Sequence, residues 1–274
     1  MISLGRHSYE FKTEATGESV PDEIEDLLHR RTDLSTFLVH LTRDTKKHGA
    51  RDNLLSLLED RTIRARSALG MAADLDDYLR DTRATQRVVC FSETPLEHSW
   101  MMVRDIRGRT QKFKPYGLVF SKSYARRVGC NPVWYLDITV GHDWLTVPVN
   151  KLVAEAKKVS RSRIGRLKGD LLAEEHIFRL TPFIEQMGNP SGTRKEFWWE
   201  REWRHVGDFA FRPRKVVAVL APEAEHEDLA DEIEAIDHDW EKRRVPLLDP
   251  GWGLERMISA LAHIDPDDAG PWPA

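Results

Sequence analysis

The chain has 274 residues and a net charge of −4, with 41% hydrophobic and 31% charged residues. Those proportions supply a sizeable core and a well-solvated surface, and no apolar run approaches the roughly 20 residues of a membrane-spanning helix. The expectation is a cytoplasmic protein without a membrane partner and, at this charge, without an overall bias toward nucleic acid. The polar, acidic opening MISLGRHSYEFKTEATGESVPDE lacks the apolar stretch of a secretory signal. Two cysteines, Cys90 and Cys130, are too few for a disulfide framework or a thiolate metal site. Both sit in apolar contexts and read as buried free thiols in a reducing compartment.

Residues 1–34 read as a polar lead-in with a short helix at Pro21–Arg31, where proline in the first turn followed by acidic residues suits a helix start. Residues 35–222 read as the core and 223–274 as a C-terminal helical segment, together one domain. Strands are expected at Thr36–Thr42, Val88–Ser92, Tyr116–Ser121, from Val133, at Phe197–Val206 and at Val216–Leu220. A leucine-faced helix is expected at Arg51–Glu59, followed by a β-like stretch around Ile63. Glu97–Asp105 looks helical, and Lys122–Val128 is a helical turn ended by Gly129. Asp143–Gly188 reads as mainly helical, with Pro182 dividing the apolar periodicity of Gly169–Met187. Pro222–Trp240 reads as one acidic amphipathic helix, and a last short helix lies near Leu254–His263. Strands and helices mix without strict alternation, which predicts an α+β fold.

Three short segments carry residues suited to chemistry. His40-Leu41-Thr42 ends an apolar strand, and an imidazole and a hydroxyl two residues apart share a face that could hydrogen-bond a ribose. A strand-end histidine satisfied by backbone is the competing reading. In Phe91-Ser92-Glu93-Thr94-Pro95 the hydroxyls of Ser92 and Thr94 share one face of an extended chain and Glu93 takes the other; a Ser/Thr turn into the next helix is the alternative. In FWWEREWR, from Phe197 to Arg204, a strand would put Glu200 and Glu202 on one face. Two carboxylates there fit a nearby cation or a cationic transition state, such as the oxocarbenium ion of nicotinamide glycosidic cleavage. A charged edge paired with Arg201 and Arg204 is the bland alternative. Basic runs at Arg104–Lys114 and Lys157–Lys168 suit either a phosphate backbone or solvated loops. No glycine-rich phosphate loop, HExxH helix or Gly-x-Ser-x-Gly element is present, and no metal site is expected.

The order of these segments resembles the ADP-ribosyltransferase superfamily. A strand carrying His-x-Thr, then a leucine helix and a short strand, looks like the opening of DarT-type toxins and of the His-Tyr-Glu branch. That resemblance implies a split mixed or antiparallel sheet with surrounding helices, and NAD as cofactor. It gives His40 and Thr42 the nicotinamide ribose, and Ser92 and Thr94 the strand beside the nicotinamide. Tyr78, Phe91 and Tyr116 are the candidates for stacking on it. The Glu200-x-Glu202 element resembles that of arginine-specific members, which makes Glu202 catalytic and Glu200 the acceptor-orienting residue, the acceptor being a protein or nucleic acid. Over most of its length the chain also resembles uncharacterised bacterial AbiGi-like families linked to abortive infection, on the elements VCFSETPL, PYGLVFSK and EREWRHVG. That likeness implies phage defence and a cognate toxin or antitoxin partner. Three functions stay open from the sequence: an NAD-dependent ADP-ribosyltransferase acting as toxin or effector; a non-catalytic antitoxin or sensor binding a partner or nucleotide; and a metal-dependent phosphodiesterase using Glu93, Glu200, Glu202 and a histidine.

Overall fold

The computed structural model describes residues 33–73, 83–105, 112–164, 174–189 and 195–264. All belong to one unit, Asp33–Ala274. The expected helix at Pro21–Arg31, Tyr78, and parts of both basic runs lie outside the described residues.

In chain order the elements are β1 (Phe37–Leu41), α1 (Ala50–Asp60), β2 (Thr62–Ile63), β3 (Ser67–Ala68), α2 (Arg83–Gln86), β4 (Arg87–Ser92), α3 (Ser99–Val103), β5 (Gly117–Ser121), α4 (Lys122–Arg127), β6 (Asn131–Pro132) and β7 (Trp134–Asp137). Then follow α5 (Thr146–Ile164), α6 (His176–Leu180), β8 (Ile184–Met187), β9 (Glu202–Val206), β10 (Phe209–Ala210), β11 (Val216–Leu220), α7 (His226–Glu234), α8 (His238–Arg243), β12 (Leu247–Leu248) and α9 (Leu254–Leu261).

The main sheet runs β12-β11-β5-β1-β4-β9-β6, with β3 also paired to β4. It is antiparallel except for the parallel pair β11–β12, so the fold is α+β with a mixed sheet. Its ladder is uneven. β1 pairs with β5 from Phe37↔Ser121 to Leu41↔Gly117, and β4 pairs with β9 from Val88↔Val206 to Ser92↔Glu202. Between them, β1 meets β4 at the single pair Val39↔Ser92. The sheet is therefore two well-laddered halves touching at one point.

Residues directly opposite in an antiparallel ladder share a face, and neighbours along a strand alternate. One face carries Leu38, Phe91, Leu118, Phe120 and Val219, which pack with Leu54 and Leu58 of α1, Leu229 and Ile233 of α7, and Trp240 of α8. Phe120 stands at its centre, with ring centroids 5.1 Å from Phe209 and 5.3 Å from Phe211. The other face carries Val39, Leu41, Val119, Ala218 and Leu220, packed with Leu96, Met102 of α3 and Met257 of α9. A smaller core joins the parallel pair β7–β8 to α5 and α6 through Leu136, Ile184, Val153, Ala156 and Phe178. α5 has helical periodicity because Val149, Val153 and Ala156 recur at spacings of four and three.

Three expected elements are corrected. Phe197–Val206 is not one strand. Trp198–Glu200 forms a 3-10 turn, Arg201 sits in the left-handed region at φ 45°, and the strand starts at Glu202. The period-two alternation assumed for Glu200 and Glu202 thus fails at Arg201. Within Gly169–Met187 the helix closes at Leu180, because Pro182 lies in the next turn and Ile184–Met187 leaves as a strand to pair with β7. Pro222–Trp240 is split into α7 and α8. The Asp237 carboxylate accepts from the amides of Asp239 and Trp240 and so starts a new helix.

Candidate functional site

His40 lies where the two half-sheets part. Its Nδ1 donates to the Cys90 carbonyl at 2.8 Å, filling a position that a continued β1–β4 ladder would fill with backbone. A carbonyl only accepts, so Nδ1 carries the proton and a neutral ring leaves Nε2 as an acceptor. Burial lowers the pKa of this imidazole below its ordinary value of 6.5, and the Arg43 charge adds to that against the opposing pull of the Cys90 carbonyl. The ring packs edge-on to Phe91 at 5.8 Å.

Thr42 is buried, and its hydroxyl points to the carbonyls of Ala50 at 2.9 Å and Tyr116 at 3.2 Å. Those bonds tie the loop after β1 to the start of α1 and to the residue that leads into β5, so the Thr42 hydroxyl is turned to backbone and the expected His40–Thr42 pairing on one ligand edge is not formed. Tyr116 directs its hydroxyl at Glu225, 2.7 Å away. Burial first, and then that carboxylate, push the phenol up to about 12.

Ser92 and Thr94 do come together, with their hydroxyls 2.8 Å apart. Ser92 donates to the Glu200 carbonyl at 2.8 Å, so the bond between the two hydroxyls is donated by Thr94. The relay fastens the end of β4 to the turn that carries Glu200. Glu93 is buried and accepts from Lys122 Nζ and Trp203 Nε1, both at 2.7 Å.

Glu202 faces the side opposite His40. It pairs across the ladder with Ser92, which shares a face with Val39, whereas His40 shares one with Leu118. The sequence reading that places His40 and Glu202 in one cleft is corrected here: the sheet lies between their side chains. The partner of Glu202 is Arg204, two residues on along the same face. Its Nε donates to Glu202 Oε1 at 3.0 Å, and its terminal nitrogen to Oε2 at 2.8 Å. Arg204 is 1% exposed and also donates to the Pro182 carbonyl at 2.9 Å and to Glu185 Oε2 at 2.8 Å. Glu185 in turn accepts from Lys195 at 2.6 Å. Burial works most strongly against the Arg204 charge, but Glu202, Cys90 and Glu185 together outweigh it and hold the guanidinium above its ordinary pKa.

Arg204 was read in the sequence as a partner of the two glutamates, and the structure makes that pair within one strand; Glu185 was missed. The ERE-x-R pattern hints at an i,i+2 pair, but Glu185 comes from a strand read as helix. Cys90, opposite Arg204 in the ladder, completes this face. Burial, and next the Glu202 charge, push its thiol well up. Among the described residues no group of three or more His, Cys, Asp or Glu could hold a metal ion. No helix of the described residues is long and apolar enough to cross a membrane.

A second feature is a run of exposed apolar side chains beside β7 and at the start of α5. Val140 is 79% exposed and Trp144 74%, with Trp134, Leu145, Val147 and Leu152 also exposed.

Residues 70–232 match the family described as "Putative abortive phage resistance protein AbiGi, antitoxin". The matched stretch is more than half of the chain and holds Ser92, Glu185, Glu202, Arg204 and the exposed run, whereas His40 and Thr42 precede it. No curated protein and no solved structure matches the chain.

Proposed function

The chain belongs to the AbiGi family, and on that premise we propose that it is a non-catalytic antitoxin module of a phage-defence system, acting by binding a partner protein, its cognate toxin. The observation that carries the reading is the state of Glu202. A carboxylate that is to stabilise an oxocarbenium ion must present its charge to the ligand. This one is bound on both oxygens by a buried guanidinium, which answers its charge within the protein. The same network locks β9 to β8, the work of a scaffold. The exposed Val140–Leu152 run supports a binding role, since contiguous exposed apolar surface commonly marks a protein interface. Two free thiols agree with a reducing compartment.

A second reading is favoured by the parting of the sheet at Val39↔Ser92, which supports an ADP-ribosyltransferase-like split sheet with NAD held near His40. Growth of cells overproducing the chain separates the two. The antitoxin reading expects normal growth with wild type and with Glu202→Gln, and no thermal stabilisation by millimolar NAD. Toxicity that Glu202→Gln relieves, or NAD stabilisation that His40→Ala removes, would replace it with the transferase.

A further inference from the structure

We propose that the concavity between the β1–α1 loop and the segment after β2 is a binding site for a phosphate-bearing ligand, recognised by charge rather than by base. The cavity encloses about 470 Å³, within the range of small-ligand sites. Three cations among the described residues line it: Lys46 and Lys47 from the loop and Arg66 from the segment between β2 and β3.

The loop is shaped by its own hydrogen bonds. Thr45 Oγ1 accepts from the His48 amide at 3.0 Å and donates to the His48 carbonyl at 3.1 Å. The carboxylates nearest by sequence are committed to the start of α1. Asp44 accepts from the Ala50 amide at 2.9 Å and faces Lys114 at 3.4 Å, and Asp52, itself on the cavity wall, accepts from the Gly49 amide at 3.2 Å.

The neighbouring arginines show what the fold does with charge elsewhere. Arg51 has Glu225 at 3.0 Å, Arg61 has Asp239 at 3.0 Å, and Arg64 has Asp208 at 3.2 Å. Lys46, Lys47 and Arg66 have no carboxylate within ion-pair distance among the described residues. Three like charges against the single carboxylate of Asp52, which is turned to the Gly49 amide, leave a net positive field in the concavity that draws anions. Among the described residues the lining offers no aromatic platform except the His48 ring, so the charge of the phosphates, not stacking on a base, would select the ligand. Nucleic-acid backbone and free nucleotide polyphosphate present that same chemistry. The site lies outside the family-matched residues and does not depend on the antitoxin reading.

The test is fluorescence anisotropy of a labelled single-stranded DNA 12-mer, with inorganic tripolyphosphate titrated separately by calorimetry, on three proteins. These are wild type, the cavity variant Lys46→Ser/Lys47→Ser/Arg66→Ser, and a control, Arg126→Ser/Arg127→Ser/Lys242→Ser, that removes equal charge from exposed positions outside the cavity and both basic runs. For backbone recognition, the cavity variant should lose about tenfold or more in affinity for the 12-mer, with a log–log salt slope smaller in magnitude by about 2. The control should stay within about twofold. If tripolyphosphate binds with the same pattern and the 12-mer does not, the source is a free polyphosphate. Equal losses in both variants, or no binding of either probe at low salt, would overturn the proposal.

Discussion

Arg204 grips both carboxylate oxygens of Glu202, at 3.0 and 2.8 Å, from the same strand face, and does so while 1% exposed. A buried cation of this kind is held by its partners rather than by water, and removing one member leaves the others uncompensated. Arg204→Ala leaves the half-buried Glu202 without its guanidinium and the buried Glu185 with Lys195 alone, and should cost about 3–5 kcal/mol in urea unfolding. Glu202→Gln keeps an acceptor for the guanidinium and leaves Glu185 as counter-ion, so its cost should be clearly smaller. Equal losses for the two variants would mean that Glu202, not Arg204, is the centre of the network.

The sequence was most informative where one kind of period governs a segment. Thr36–Thr42, Val88–Ser92, Tyr116–Ser121 and Val216–Leu220 each match an observed strand to within one residue at either end, because β-branched and aromatic residues on a half-buried ladder need only local pattern. Its reading failed where a single residue resets the geometry. Arg201 in the left-handed region rotates the chain between Glu200 and Glu202, and nothing in an arginine announces that conformation. Pro182 was recognised as a divider, but the strand beyond it is fixed by β7, about 50 residues earlier in sequence. The site was legible in its members Ser92 and Thr94, which are adjacent along one strand end. The separation of His40 from Glu202 rests on ladder register across three strands, which composition and spacing do not encode.

His40 gives the molecule an acid limit. Its folded pKa is lowered, so below the ordinary value of 6.5 the unfolded chain takes up a proton that the folded chain refuses. The stabilisation from the neutral ring is fully present above that value and is lost as pH falls below it. His40→Asn keeps an N–H for the Cys90 carbonyl and cannot titrate. The wild type's advantage in Tm over this variant should therefore shrink between about pH 7.5 and 5.5. An advantage that is constant over that range would show that the ring does not titrate on unfolding.

The two thiols report on separate surroundings. Cys130 is buried in the aromatic core, and burial pushes its pKa up to about 12. Cys90 is raised by burial and further by the Glu202 carboxylate. The thiolate is the reacting form, so both should react slowly with a thiol-exchange reagent at about pH 8 in the native protein, and fully in denaturant. Glu202→Gln removes the negative charge beside Cys90 and leaves Arg204, which favours the thiolate. That variant should react faster at Cys90 while Cys130 stays as in wild type, read by peptide mapping. Unchanged reaction at Cys90 would place the carboxylate too far from the thiol to matter.

Gly70 couples backbone conformation to the Arg204 network. Its φ is +55°, and a Cβ there would come within 2.2 Å of the Ile184 carbonyl oxygen and 2.6 Å of Glu185 Oε2. The first of these atoms is β8 backbone and cannot swing aside. Gly70→Ala must therefore both hold alanine in the left-handed region and move β8, and with it the carboxylate that Arg204 binds at 2.8 Å. The two costs together predict a loss of about 3 kcal/mol. Gly253 is the matched control, since a Cβ there meets nothing within 4 Å and its φ is −75°. Gly253→Ala should stay within about 1 kcal/mol of wild type. If Gly70→Ala unfolds at the same urea concentration as that control, β8 yields easily, and the Glu185–Arg204 bond is not what fixes it against the main sheet.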